Sequence, residues 1–522
     1  MTPHRYPSSL PESLRTDARD AALPRQPPPG FRNMFHEHHA DEADRWRGEG
    51  SAHDTEIMLA ALAERMMARP PARRTAPFPA GYTYLAQFMA HDLQFSTDER
   101  IYPPAAVPHV ALRKRRLTLE TIYGEGPERD PQFYGAGDDA LAPYRLRFGR
   151  FGPGVAPGQR TLARSAHCTS VSGAPEAPLC AADARNDENP VVAQVAGLFI
   201  RLHNVALRRL DRYGDPAERF AAARRVAQAA FRCVVFDDLL PRLLRPDVRL
   251  AYERGRRRDL PAARTDDVAV EFSHAVSRAG HALVRPDYAV SPTVNSGHAI
   301  NVREMIRHTS RRDPEAFAQG RAWAVDWSLF FGARAQPAEP FAPHVNPFLA
   351  EAPGLLADAL RPARRAHLPL RDLARGMDAG PLRVEALAEH VRADFAGVPG
   401  LHRWLAFDAS HRGSAVLEVL GEDRALKPWR ASLCAEPPLY LFALIEAAAP
   451  EDQGGGAGLR FGALGSIVTA EPLYAARDAS RESVEDHPDL KVDAATVFGP
   501  AGAPAGMADL IEALIPARLA AS

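Results

Sequence analysis

The chain has 522 residues, of which 46% are hydrophobic and 25% charged, an ordinary composition for a globular protein with a large core. Its 64 basic and 65 acidic residues nearly balance, so electrostatics do not favour nucleic acid or an anionic membrane as the main partner. No run of ~18 apolar residues predicts a transmembrane helix.

The N-terminal segment differs in composition from the rest of the chain. Residues 1–50 are rich in proline, charge and histidine, which predicts an extended arm ahead of one large domain over residues 51–522. His36, His38 and His39 in this arm are candidate metal ligands, and a solvated, tag-like segment is the alternative. The arm has no apolar stretch typical of a secretory signal, and the four cysteines are scattered, so a cytoplasmic setting is expected.

Helical periodicity dominates from residue 51 onward, and alternating strand patterns are scarce. A helix is predicted to begin at Pro190, and a second long helix is predicted over residues 216–244. The apolar face of the first helix contains Val192, Val195, Phe199, Ala206 and Leu210. Glycine, proline and arginine clusters predict loops or connections at 148–160, 335–354, 361–367 and 450–458. The sequence therefore predicts a mainly α fold with one core, long functional loops and little β structure.

The segment GYTYLAQFMAHDLQFS, residues 81–96, is the first candidate for a functional site. Gln87 and His91 are four residues apart and share one face of a predicted helix, whereas Asp92 points away from that face. The apolar residues that can turn into the core are Leu85, Phe88 and Met89. A histidine on such a stretch is commonly a core residue, so its role depends on the rest of the chain.

The segment DARNDENP, residues 183–190, lies just before the predicted helix at Pro190. Arg185 and Glu188 are three residues apart at this helix start. In isolation, a capping segment with a surface ion pair is the ordinary interpretation.

The segment EFSHAVSRAGHALVRPDY, residues 271–288, has an apolar face and a second face of four basic side chains at helical spacing. These basic residues are His274, Arg278, His281 and Arg285. The ridge suggests an anionic, metal-containing ligand, with a solvated basic face as the alternative. Residues 368–382, LPLRDLARGMDAGPL, form a charged loop or short helix that no core-packing pattern explains.

Six segments follow one another between about residues 75 and 475: AQFMAHDLQF, ARNDENP with LFIRLHNVAL, SRAGHALVRP, RDLARG, PPLYLFALIEAA and LRFGALGSIVTAE. In this order they resemble the distal-histidine helix, the R-x-x-E-x-P segment with its following helix, the proximal-histidine segment, the asparagine-bearing N-x-x-R-G loop and the two closing segments of the animal-type haem peroxidases, the peroxidase–cyclooxygenase superfamily. Within this family the chain resembles bacterial members, which lack a signal peptide and a propeptide. The resemblance implies one large, mainly α haem-peroxidase domain.

The resemblance also implies a b-type haem between the distal and proximal helices. His281 would be the axial ligand of the haem iron, because imidazole nitrogen is a common ligand of iron. The family places an asparagine where this chain has Asp372, which would accept a hydrogen bond from the other ring nitrogen of His281. Arg278 and Arg375 are candidates for holding the haem propionates.

The distal residues imply a reaction with hydrogen peroxide. His91 would act as a general base that takes a proton from peroxide and returns it to the departing oxygen. Arg185 would stabilise the negative charge that develops as the O–O bond breaks. Gln87 would order a distal water or a bound halide. The expected partners are hydrogen peroxide and a small reducing substrate, with roles in peroxide defence and in biosynthesis both open.

Two departures from the family pattern concern covalent haem attachment. Family members can form ester links through an aspartate just before the distal histidine and a glutamate three residues after the distal arginine. Here Ala90 stands in the first place and Glu188 in the second, and Asn189 stands where one member has a linking methionine. The expected attachment is therefore one ester through Glu188, or none.

The family's structural calcium site is matched poorly. Asp92, Thr118 and Glu120 are the candidate calcium ligands, since calcium prefers six to eight oxygen ligands. The place of a family threonine is taken by Lys114 inside the basic run 113–116, so Asp92 could instead pair with an arginine of that run.

The sequence leaves two alternatives to the peroxidase interpretation. A fatty-acid dioxygenase or cyclooxygenase of the same superfamily would need a tyrosine three residues before the proximal histidine, where this chain has Arg278. A haem-binding protein without turnover would need only His281 and a pocket, so the retention of both His91 and Arg185 argues against it.

Overall fold

The computed structural model describes residues 31–35, 44–46, 48, 50, 52–68, 78–94, 117–150, 159–164, 179–255, 268–307, 323–346, 368–395, 409–481 and 484–515. The α-helices in these residues are α1 (Ala52–Ala68), α2 (Gly81–Leu93), α3 (Glu120–Tyr123), α4 (Pro190–Arg209), α5 (Pro216–Cys233), α6 (Leu240–Leu243), α7 (Pro246–Glu253), α8 (Val302–Arg307), α9 (Leu368–Ala379), α10 (Val384–Asp394), α11 (Ala409–Leu420), α12 (Arg430–Ala435), α13 (Leu439–Ala448), α14 (Ala463–Ala479), α15 (Leu490–Phe498) and α16 (Met507–Leu514).

The strands of the described residues are short and form two-stranded ribbons. They are β1 (Phe31–Arg32), β2 (Gly149–Arg150), β3 (Arg160–Thr161), β4 (Ala163–Arg164), β5 (Leu179–Cys180), β6 (Val268–Ala269), β7 (Asp287–Tyr288) and β8 (Ile300–Asn301). β1 pairs with β6 in parallel, and the pairs β2–β3, β4–β5 and β7–β8 are antiparallel. The prediction of a mainly α fold with little β structure is confirmed.

Helix α4 is the helix that the sequence predicts to begin at Pro190. Asn189 caps its start, because the Asn189 side chain accepts hydrogen bonds from the backbone N–H groups of Val191 and Val192, and Pro190 occupies the first turn. The five predicted apolar positions are all fully buried. Among the described helices, α4 is the only one that by itself is long and apolar enough to cross a membrane, and 89% of its apolar window is buried inside the protein.

Helix α2 packs against α4 through aromatic side chains. The rings of Phe88 and Phe199 stack with centroids 5.3 Å apart, and Phe231 of α5 meets both edge-on. The predicted core residues of α2 are buried. Gly81 is required at its start, since a Cβ there would lie 2.6 Å from the backbone oxygen of Phe330.

Part of the N-terminal segment packs into the domain. The buried carboxylate of Glu271 accepts hydrogen bonds from the Asn33 side chain and the Met34 backbone N–H, each at 2.8 Å. Phe35 is buried and stacks on His390 with centroids 4.9 Å apart. Residues 31–35 are therefore a packed strand and turn, while the proposed domain boundary at residue 50 stays a prediction.

Several predicted features lie outside the described residues. They are the histidines His36, His38 and His39, the basic run 113–116, the arginine cluster 361–367 and parts of the predicted loops 148–160 and 335–354.

The predicted helical ridge over residues 271–285 is wrong in its geometry. Residues Glu271–Ala275 form a π-helical turn and Val276–Leu283 a 3-10 helix, with a backbone break at Ala275. Because the two halves have different periodicities, the four basic residues do not share one face. His274 is buried beside Ser273, whereas Arg278 and His281 approach Asp372 of α9.

Candidate active site

His91 lies in the last turn of α2, and its ring orientation is fixed by a buried asparagine. His91 Nδ1 lies 2.9 Å from Asn186 Oδ1. The Asn186 Nδ2 atom donates to the hydroxyl oxygen of Thr121 at 2.8 Å and to its carbonyl at 3.3 Å, so Oδ1 is the acceptor that faces His91. The neutral ring therefore carries its proton on Nδ1 and has its lone pair on Nε2.

The environment of His91 keeps its imidazole neutral. Burial and the positive charge of Arg185 lower its pKa to about 4, against smaller opposing effects of Asp183, Glu188 and Asn186. At neutral pH the side chain is a base that is ready to accept a proton.

Arg185 is held beside the end of α2 by hydrogen bonds to the Asp183 carboxylate and to two backbone oxygens. Its Nε and Nη2 atoms donate to the buried carboxylate of Asp183 at 3.0 and 2.6 Å. Nη2 also donates to the backbone oxygens of His91 and Gln94, both at 2.8 Å. The guanidinium is therefore a fixed positive charge adjacent to His91, as a charge-stabilising group requires.

Gln87 shares the α2 face of His91, as predicted, and its amide is bound at both ends. Gln87 Nε2 donates to Glu188 Oε2 at 3.0 Å, and Asn189 Nδ2 donates to Gln87 Oε1 at 3.2 Å. Glu188 and Asn189 thus set the orientation of the Gln87 amide.

His281 forms the second half of the site. Its Nδ1–H donates to Asp372 Oδ2 at 2.6 Å. The His281 side chain is 33% exposed although the Asp372 side chain is fully buried. Burial alone would raise the pKa of Asp372, but His281, Arg278 and Arg375 outweigh it and lower that pKa below its usual value. Asp372 is therefore an ionised acceptor for the ring of His281.

Arginines gather around this carboxylate. Arg278 Nη1 lies 3.5 Å from Asp372 Oδ1, and burial together with nearby Arg375 and Arg371 lowers the pKa of Arg278 to about 10. The Nε atoms of Arg278 and Arg375 are buried without a hydrogen-bond partner. This concentration of positive charge suits a ligand that carries carboxylates.

The two halves of the site lie against each other. Helix α2 packs on the 3-10 helix Val276–Leu283, and Gln94 Nε2 donates to Ser277 Oγ at 3.4 Å. Arg185 also contributes to the lowered pKa of Arg278. The structure thus brings together the residues predicted from three separate segments.

Two of the candidate calcium ligands, Asp92 and Thr118, make hydrogen bonds within the protein. Both carboxylate oxygens of Asp92 accept backbone N–H groups, from Leu119 at 2.9 Å and from Thr121 at 3.0 Å. The backbone oxygen of Thr118 accepts from Gln228 Nε2 at 2.8 Å. Among the described residues no group of three or more His, Cys, Asp and Glu side chains could hold a metal ion. These contacts do not fit calcium bound through Asp92, Thr118 and Glu120.

The chain is similar in sequence to a known family. Residues 120–381 match the family model described as animal haem peroxidase, and this range includes Arg185, His281 and Asp372. Over 129 residues the chain is 31% identical to thyroid peroxidase of Rattus norvegicus, covering 23% of this chain and 14% of that protein. Over 179 residues it is 30% identical to thyroid peroxidase of Homo sapiens, covering 33% of this chain and 19% of that protein.

Two solved structures share the fold. Peroxidase A from Dictyostelium discoideum aligns with a TM-score of 0.55 at 13% identity, covering 88% of this chain and 89% of the other. Fatty acid alpha-dioxygenase from Oryza sativa aligns with a TM-score of 0.57 at 16% identity, covering 90% and 81%. The matched part of the curated relatives is well below a quarter of their length.

Proposed function

The chain belongs to the animal haem peroxidase family, whose members are haem-dependent oxidoreductases, and we propose that it reduces hydrogen peroxide while oxidising a small organic donor or a halide. One observation carries the proposal: a neutral, oriented His91 lies on a helix packed against the segment that bears His281, and a fixed Arg185 is bonded to the end of that helix. Haem binding without turnover would need neither His91 nor Arg185, so their arrangement favours catalysis.

The residues around His281 fit a haem. His281 would bind the iron through Nε2, because its Nδ1–H donates to Asp372 and one-third of the side chain is exposed. Arg278 and Arg375 would bind the propionates, since both arginines lie near the Asp372 carboxylate that holds His281 and guanidinium pairs well with carboxylate. When bound, the haem supplies the two-electron reduction of peroxide and passes the oxidising equivalents to the donor.

The proton transfers fall to His91. Its Nε2 lone pair takes the proton from the attacking oxygen of peroxide and returns it to the departing oxygen, which leaves as water. Nδ1 stays bonded to Asn186 throughout, so the ring does not rotate away. Arg185 offsets the negative charge on the departing oxygen at no cost of reorganisation, because Asp183 already holds it in place.

Covalent attachment of the haem is limited to a single residue. Ala90 carries no carboxylate, so Glu188 is the one family position that could form an ester. In the structure Glu188 Oε2 accepts a hydrogen bond from Gln87. We propose that attachment through Glu188 is single or absent, which denaturing extraction of the haem into acidic organic solvent would distinguish.

The reaction with peroxide should stay fast in mildly acidic solution. His91 acts as a base only while neutral, and its pKa is lowered to about 4. We therefore expect the second-order rate constant to be level above about pH 5 and to fall as the pH drops through about 4. A stopped-flow pH profile checks this, and a loss of rate centred at the ordinary histidine value of about 6.5 would contradict it.

Asp372 should hold the iron at a low reduction potential. A carboxylate accepts the Nδ1–H of His281 more strongly than an amide and increases electron donation to the iron. Asp372→Asn should raise the Fe(III)/Fe(II) potential, measured by spectroelectrochemistry. Asp326→Asn is a matched control, because Asp326 is also buried and paired with an arginine, Arg334 at 2.7 Å. Equal potentials of wild type and Asp372→Asn would contradict this role.

A low reduction potential of the haem iron limits which electron donors the enzyme can oxidise. Since the covalent links at positions 90 and 189 are absent and the proximal partner is charged, phenols and aromatic amines should be oxidised, iodide less readily, and chloride not at useful rates. Steady-state assays with guaiacol, iodide and chloride at fixed peroxide test the proposal. Efficient hypochlorous acid production would contradict it.

A fatty-acid dioxygenase is the second candidate, since one of the structural neighbours is a fatty acid alpha-dioxygenase. Arg278 stands where such an enzyme needs its radical-forming tyrosine, and Arg278 is instead engaged with Asp372. We expect no oxygen uptake with linoleate in the absence of peroxide. Uptake at a rate comparable with guaiacol oxidation would favour the dioxygenase.

A further inference from the structure

The loop that leads into α3 has an unusual backbone. Leu117 and Leu119 have φ angles of 50° and 60°, in the left-handed region that leucine rarely adopts, and both side chains are fully buried. Such a conformation persists only where the surrounding structure holds it. The contacts of residues 117–121, called the distal loop, must therefore hold this conformation in place.

Protein groups satisfy the polar backbone of the distal loop. The amides of Leu119 and Thr121 point at the Asp92 carboxylate. The carbonyl of Leu117 accepts from Arg232 Nε at 3.2 Å, and that of Thr118 from Gln228 Nε2 at 2.8 Å. These carbonyls thus face a guanidinium and an amide donor from α5.

Arg232 is itself held in place. Its Nη1 donates to both carboxylate oxygens of Glu485 at 2.7 Å, and its Nη2 donates to Ser480 Oγ. The side chain is buried, so it supplies a fixed positive charge at the loop carbonyls. The guanidinium of Arg232 is therefore the cation that contacts the distal loop.

The distal loop contacts the candidate catalytic base through one residue. Thr121 accepts from Asn186 Nδ2 with both its hydroxyl and its carbonyl, and Asn186 Oδ1 accepts from His91 Nδ1. Since the backbone N–H of Thr121 donates to Asp92, the residue after His91, hydrogen bonds and the peptide bond between His91 and Asp92 close the four residues into a ring. All four residues are buried.

We propose that Asn186 is a positioning residue that keeps the proton of His91 on Nδ1, and that Asp92, Gln228 and Arg232 support it without calcium. The inference rests on the proposed function because it assigns His91 the acid–base role. Loss of the ring would allow His91 to protonate on Nε2, which would direct an N–H instead of a lone pair at peroxide.

The tautomer of His91 can be measured without turnover. The full-length protein, labelled with ¹⁵N-histidine and prepared in its diamagnetic ferrous carbon monoxide form, should give a long-range ¹H–¹⁵N pattern with the proton on Nδ1 of His91, assigned by loss of the signal in His91→Ala. If the protein takes up no haem, the proposed function fails, and the same spectrum of the protein as purified still tests the tautomer.

Three variants separate positioning from stability. Asn186→Leu should move the proton of His91 at least partly to Nε2 and slow the peroxide reaction by about tenfold, the effect of losing one oriented hydrogen bond. Asn186→Asp keeps an acceptor for Nδ1 and should restore the tautomer. Asn204→Leu is the control, because Asn204 braces Leu146 in the same way away from His91. An unchanged tautomer in Asn186→Leu overturns the proposal.

Calcium independence is tested on the same full-length protein. After dialysis against EGTA, elemental analysis should find well below one calcium per chain, with the melting temperature and the His91 tautomer unchanged. Arg232→Gln should lower the melting temperature and broaden or shift the His91 signals. Stoichiometric calcium in the purified protein, with a change of tautomer on chelation, would assign the role to the ion and overturn this part of the inference.

Discussion

His281→Ala should be purified almost free of haem, whereas His274→Ala on the same segment should retain it. The Nδ1 atom of His281 is bound to Asp372 and its side chain is one-third exposed, so the ring is available to a ligand. His274 is buried, with Nδ1 2.8 Å from Ser273 Oγ, and packs as a core residue. Removal of the sole axial ligand removes the strongest bond between protein and iron, and we expect haem affinity to fall by far more than the ~10–100-fold typical of losing a supporting residue.

The measurement is the ratio of Soret to protein absorbance after reconstitution with haem and gel filtration. The comparison is matched, because both variants remove a histidine from adjoining turns of one segment. A low ratio for His274→Ala and a normal ratio for His281→Ala would show that the proximal ligand is misassigned.

His91→Ala should bind haem normally and react with peroxide about 10²–10⁴ times more slowly, the usual effect of removing a general acid–base group. The loss is specific, because Arg185 is positioned by Asp183 and by backbone oxygens of α2 that the substitution leaves in place. Stopped-flow mixing with peroxide gives the rate constant directly.

His203 provides the matched control for His91. It is also buried, and burial lowers its pKa to about 4. Its ring bridges Tyr123 and the backbone oxygen of Tyr144, so it braces the fold. His203→Gln should lower stability and leave the peroxide rate within about threefold of wild type. A similar rate for wild type and His91→Ala would contradict the assignment.

The sequence was sufficient for features that depend on local periodicity. The buried face of α4 and the shared face of Gln87 and His91 follow from 3.6-residue spacing. The pairing of His281 with Asp372 was predicted from the family pattern, and the structure places them 2.6 Å apart.

The remaining features depend on tertiary contacts that spacing does not report. The π-helical and 3-10 turns around Ala275 change the residue spacing. The prediction that the four basic residues of 271–285 share one α-helical face is therefore wrong. Asn186 and Asp183 were missed because short polar residues before a helix are usually read as caps. Their proximity to Arg185 within DARNDENP was the available signal. The parallel pairing of β1 with β6 joins residues more than 200 positions apart, which composition alone could not suggest.

The absorption spectrum of the purified protein, before and after one equivalent of hydrogen peroxide, shows whether the protein binds haem through His281 and reacts with peroxide. We expect a Soret band of histidine-ligated ferric haem that changes within the mixing time of a stopped-flow instrument and returns to the starting spectrum when guaiacol is added. A protein that carries no haem after reconstitution, or a Soret band that one equivalent of peroxide leaves unchanged, would contradict it.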